Sequence, residues 1–94
     1  MLLTKEQLEE LESLAGLFFS VEDILIALDI SSDEKDIFHY ILLEENENPI
    51  FKAYHRGRLT QEIKLRQSIQ QAALNGSNPA QNTLINFFNE SSLK

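Results

Sequence analysis

Few side chains in this chain could carry bond-making chemistry. Asp36 and His39 stand three residues apart, one helical turn, and Glu44 and Glu45 follow about a turn later, so an oxygen and a nitrogen ligand share one helical neighbourhood. A metal site needs at least a third protein ligand in register. None is present, so the pair reads as a surface histidine beside an acid, and neither metal nor cofactor is expected. His55 is isolated among arginines, and the absence of cysteine removes thiolate ligands, thiol nucleophiles and disulfides together. No glycine-rich phosphate loop, nucleophile elbow or paired carboxylates can be found. The chain is expected not to be an enzyme.

The chemistry that remains is charge. Residues 1–47 hold thirteen acids against Lys5 and Lys35, whereas residues 48–94 hold six bases against Glu62 and Glu90, within a net charge of −7. Lys52, His55, Arg56, Arg58, Lys64 and Arg66 form a basic cluster with Glu62 as its one acid. At about 100° per residue these cations wrap around a helix instead of forming a stripe. That distribution suits pairing with the acidic amino-terminal half, within a chain or between chains, and leaves phosphate contact as the other use. An acidic protein is a poor generic polyanion binder, so any DNA contact must be local and multiplied by oligomerisation.

These residues must be positioned by helices. Periodicity of 3.6 residues recurs, β-branched alternation is missing, and the breakers fall between periodic segments, so the chain is expected to be all-α. Thr4 with Gln7 forms a capping box opening a first helix over about 5–15, with Gly16 as its stop. Ser20 caps a short second helix ending near Leu28, and Ser31 with Glu34 is a second capping-box pattern, opening a third helix that ends near Leu43. After the solvated connector 44–48, Asn48-Pro49 opens the longest helix, running to Asn75-Gly76. Gly57 inside it costs roughly 1 kcal/mol relative to alanine and predicts a bend or a close backbone approach. Asn78-Pro79 repeats the start signal for a short fifth helix, and Ser91 to Lys94 is expected to fray. Two regions follow: a bundle over 1–47 and a helical hairpin over 48–94.

The first three helices, with a tight turn at Ile30-Ser31, have the layout of a helix-turn-helix module whose third helix would lie in a major groove. Ser31, Ser32, Lys35 and His39 could donate to DNA there. Asp33, Glu34 and Asp36 stand among them, however, and carboxylates facing phosphates repel. In the hairpin, Leu59, Ile63, Ile69, Ala73, Leu84, Ile85, Phe87 and Phe88 are more apolar side chains than two helices can hide, so they are expected to meet neighbouring subunits.

This order of parts resembles the small terminase subunits of tailed bacteriophages. The resemblance is carried by the segment from Leu3 through Ser31, by Asn48-Pro49-Ile50-Phe51-Lys52-Ala53-Tyr54-His55-Arg56-Gly57-Arg58, by Leu65-Arg66-Gln67-Ser68-Ile69, and by Ala72-Ala73-Leu74-Asn75-Gly76-Ser77-Asn78-Pro79-Ala80. It implies a non-catalytic, ring-forming homo-oligomer that selects double-stranded viral DNA and regulates a separate large subunit, the packaging ATPase and nuclease. It also implies that Ser31, Ser32, Lys35 and His39 face DNA, joined by Lys52, Arg56, Arg58, Lys64 and Arg66 once copies are arrayed, while the last two helices build the ring.

The alternatives are an acidic helical adaptor or inhibitor that binds a protein and never DNA, and a small dimeric helix-turn-helix regulator with half-sites about 34 Å apart. The longest apolar stretch, Leu14 to Phe19, is far short of the ~18 residues a bilayer span requires. The amino terminus lacks the basic and apolar regions of a signal peptide, so no membrane partner and a cytoplasmic location, that of the host cell for a viral protein, are expected.

Overall fold

The structure is a computed structural model that describes residues 1–91. It is all-helical, with α1 at Lys5–Gly16, α2 at Val21–Ala27, a 3₁₀ turn at Ser32–Glu34, α3 at Lys35–Glu44, α4 at Pro49–Leu74 and α5 at Asn78–Glu90, and it has no strand among the described residues. Among the described residues no helix is long and apolar enough to cross a membrane. The chain divides into two compact units, residues 1–61 and 62–94, so the connector at 44–48 lies inside the first unit and the division falls within α4. Of the end expected to fray, Ser91 is a turn residue capping α5, and residues 92–94 lie outside the described residues.

Local signals account for most helix ends. The Thr4 hydroxyl accepts from the Gln7 N–H at 3.1 Å while Gln7 Oε1 accepts from the Thr4 N–H at 2.9 Å, the reciprocal capping box. Ser20 Oγ accepts from the Asp23 N–H, and Asn48 Oδ1 accepts from the Ile50 N–H, with Pro49 in the first turn where its missing N–H costs nothing. Two expected caps differ. Ser31 Oγ accepts from Asp33 instead of completing a box with Glu34, because residues 32–34 tighten into a 3₁₀ turn before α3 begins. At α5 the cap is Ser77, whose hydroxyl accepts from the Ala80 N–H, one residue before the expected Asn78.

Three helices end alike. The N–H groups of Phe19, Ile30 and Ser77 reach back to Leu14, Leu25 and Ala72, and those of Phe18, Asp29 and Gly76 reach Ala15, Ile26 and Ala73, the paired bonds of a Schellman motif. The motif needs positive φ at its turning residue, found at Phe18 (61°), Asp29 (55°) and Gly76 (92°). Glycine supplies it only in the last case. Gly16, expected as the stop of α1, is instead the last residue of that helix.

Gly16 is used for packing. A Cβ built on it would lie 3.1 Å from the Gly57 carbonyl oxygen, and one built on Gly57 would lie inside the van der Waals envelope of the Glu12 backbone, 2.9 Å from its carbonyl carbon. Two glycines therefore let α1 and the first half of α4 cross with their backbones touching, which is the close approach expected at Gly57. The core of this unit gathers Leu11 from α1, Ile24, Leu25 and Leu28 from the α2 segment, Phe38, Ile41 and Leu42 from α3, and Ile50 and Ala53 from α4. His55 adds a polar tie. Its Nε2–H donates to the Leu42 carbonyl at 2.9 Å, satisfying one of the last carbonyls of α3 that no helical N–H can reach.

The second unit is an antiparallel hairpin formed by the end of α4 and α5. Gln81 Nε2 donates to the Ala73 carbonyl near the turn, and Arg66 reaches Phe87 and Glu90 at the open end. Its core is slight: no residue of α5 is buried, and on the α4 side only Ala73 is.

Candidate functional site

The basic cluster is distributed over both units and is largely engaged within the chain. Lys52 Nζ sits 3.2 Å from Glu47, and Arg56 lies 3.9 Å from Glu12 on α1. Arg58 has no acid. Its guanidinium stands 5.1 Å from the centre of the Phe18 ring and donates to the Tyr54 hydroxyl at 3.2 Å. In the second unit Arg66 donates through Nε and Nη2 to Glu62 Oε1 at 3.2 and 2.9 Å, and lies over the Phe87 ring at 3.9 Å. Lys5 and Lys64 have no ion pair among the described residues. These pairs are solvent-exposed and worth about 0–1 kcal/mol each, so a phosphate could replace a carboxylate at little cost.

A groove of about 400 Å³ runs between α1 and the start of α4, lined by Lys5, Lys52 and Arg56 opposite Glu9, Glu12 and Glu47. Its charges balance, which suits closing the first unit better than drawing in an ion.

The residues expected at a DNA groove also come together. Ser31, Ser32 and Lys35 line a groove of about 210 Å³ with Leu25, Ile26 and Ile30, along the seam between α2 and the first turn of α3. Glu22 of α2 faces this seam, 3.5 Å from Lys35 Nζ and 3.8 Å from His39 Nε2. Its own backbone N–H hydrogen bond, then Lys35 and His39, hold the Glu22 carboxyl below its ordinary value of 4.5. Both side chains offered to DNA from α3 therefore already face a carboxylate. Asp36 and His39 do not converge on a third ligand, and among the described residues no group of three or more His, Asp or Glu could hold a metal ion.

Of the apolar residues expected between subunits, Leu59, Ile63, Ile85 and Phe88 are exposed, while Ile69, Leu84 and Phe87 are partly covered. Ala73 is buried within the hairpin and so is engaged in the single chain. Leu65 and Leu74 are exposed as well.

Sequence reasoning missed Glu22, Phe18 and Tyr54. The i, i+4 spacing of Tyr54 and Arg58 was a usable signal. Glu22 and Phe18 reach their partners only across helices. Compared with protein-family models, curated proteins and solved structures, the chain matches none.

Proposed function

We propose that the chain is a non-catalytic subunit of the small-terminase kind, which works as a homo-oligomer, holds double-stranded DNA through the cations of α4 and regulates a separate large ATPase and nuclease subunit. The observation that carries the reading is the hairpin. Among its described residues only Ala73 is buried, whereas Leu74 and Ile85 are 75% and 57% exposed and Ile63 and Leu65 are exposed with them. Apolar side chains left in water on two helices that bury so little are hidden by gathering copies. Gathering copies also multiplies Lys52, Arg56, Arg58, Lys64 and Arg66, so that an acidic chain can present an array of cations to phosphates.

The test measures mass and DNA binding together. Light scattering after size exclusion should give a ring-sized multiple of the chain mass, reduced by Ile85→Asp; a monomer at micromolar concentration overturns the assembly. A DNA mobility shift should weaken steeply as salt rises from about 50 to 200 mM. Replacing Lys52, Arg56 and Arg58 together by alanine should abolish it, and an unaltered shift discards these residues as the contact.

A second reading has its own support. Glu22 faces both Lys35 and His39, and the rest of the exposed α3 surface holds Asp36, Glu44 and three apolar side chains with no further cation, which favours an acidic adaptor that binds protein and no DNA. A monomer that shifts no DNA at low salt selects that reading, and a dimer that shifts DNA selects a small regulator.

A further inference from the structure

The outward side of α3 belongs neither to the hairpin nor to the basic cluster. Phe38, Ile41 and Leu42 face the core, so on a helix of about 100° per residue the opposite arc of roughly 120° holds Ile37, Tyr40 and Leu43, interleaved with Asp36 and Glu44. Ile37, Tyr40 and Leu43 are 50%, 58% and 74% exposed. They stand at i, i+3 and i+6, each step turning about 60° around the helix, so the three share this one arc. A surface meant for phosphates would carry arginine and lysine on this arc. It carries two aliphatic side chains and a tyrosine.

The surrounding charge says what covers it. Between Ser20 and Glu47 there are nine carboxylates and one lysine, and that lysine faces Glu22. A segment so acidic, with Asp36 and Glu44 on the arc itself, repels DNA and anionic lipid and attracts cations. A second copy of the chain would have to give up its own exposed pairs to supply them, which the basic flanks of a different partner need not do. Lys52, Arg56 and Arg66 are paired with its own acids, Arg58 is stacked on Phe18, and only Lys5 and Lys64 remain without an ion pair among the described residues. We propose that the outward face of α3 docks an amphipathic helix of a different protein, its apolar stripe on Ile37, Tyr40 and Leu43 and its flanks rich in lysine or arginine. This surface belongs to the first unit and the hairpin is the second, so the docking is tested apart from self-association.

The test uses the full chain and two designed helical peptides with the same leucine stripe, one flanked by lysines and one by glutamates, followed by backbone amide NMR. The lysine peptide should shift amides of residues 35–44 and bind at least tenfold more tightly than the glutamate peptide. Ile37→Ser, Tyr40→Ser and Leu43→Ser combined should weaken it at least tenfold, while helix content and oligomer mass stay unchanged. If that triple variant loses helix content, Tyr40→Lys alone serves, and should weaken the lysine peptide and spare the glutamate one. Three results overturn the proposal: lysine-peptide binding untouched by these variants, a fall in oligomer mass when the face is altered, or duplex DNA shifting the same α3 amides.

Discussion

Gly57 and Glu12 touch through their backbones: α4 crosses α1 so closely that the space a Cβ on Gly57 would take is already filled by the Glu12 carbonyl. Because the obstacle is main chain, no rotamer change relieves it. Gly57→Ala gains roughly 1 kcal/mol of helix propensity but forces the two helices apart, and overpacking of this kind costs about 1–3 kcal/mol and more where backbone must move. A net loss of about 2 kcal/mol is expected, read as a fall of roughly 8–16 °C in the unfolding midpoint by circular dichroism at fixed protein concentration. Gly16→Ala, whose added carbon would stand 3.1 Å from the Gly57 oxygen, should cost distinctly less. Equal midpoints for the two variants would refute the close crossing.

Phe18 occupies a left-handed turn that disfavours a bulky side chain by about 1–2 kcal/mol, and its ring stands against Arg58, a contact worth about 0.5–1 kcal/mol at an exposed site. The two effects nearly offset. Phe18→Gly should therefore leave stability within about 1 kcal/mol of wild type, but should be more stabilising when Arg58 is already alanine, by the lost contact. Urea unfolding of the four members of this cycle measures the difference, and additivity would mean the stack contributes nothing.

At Gly76 an added Cβ would meet nothing within 4 Å, so φ of 92° is the whole obstacle. Gly76→Ala is expected to destabilise the hairpin by about 1 kcal/mol, seen as faster amide exchange in α5. Unchanged exchange would show that the turn tolerates a side chain.

Glu22 gives a pH dependence whose sign is set by its lowered carboxyl. The folded value lies below 4.5, so the group stabilises the fold above that pH and the contribution is lost as pH falls through the folded value. Wild type should exceed Glu22→Gln in urea midpoint at pH 7, and the gap should close toward pH 3. A gap that is constant over this range would mean that the Glu22 charge gains nothing from its own N–H, Lys35 or His39 on folding.

Arg66, held by Glu62 of its own helix, ties the hairpin through Phe87 and Glu90 of α5. Arg66→Ala should raise amide exchange in the last turns of α5 several-fold, and Arg66→Lys should restore little, since an ammonium lacks the planar fork that bonds Glu62 while lying on the ring. Full recovery with lysine would reduce the tie to simple charge attraction.

Helix number, order and approximate ends were legible because they rest on interactions within four or five residues: Thr4 with Gln7, Ser20 with Asp23, Asn48 with Ile50. The misreadings lie at ends too. Gly16 looked like a stop because glycine suits a left-handed turn, yet Phe18 and Asp29 take that conformation and Gly16 serves an interhelical contact. Ser31 looked like half of a box until the 3₁₀ turn changed which N–H lay within its reach. Of the candidate site, the grouping of cations on α4 was visible, and so was the surplus of apolar side chains at the carboxyl end.

By itself the sequence determined an all-α chain with acidic and basic halves and a hairpin that hides too little, since periodicity, capping and composition are properties of neighbours along the chain. Only the tertiary structure decided which acid faces which base, that Glu22 rather than Asp36 faces His39, and that α3 turns Ile37, Tyr40 and Leu43 outward. Those choices depend on how helices cross, and the crossing of α1 with α4 is set where two glycines remote in sequence let backbones meet.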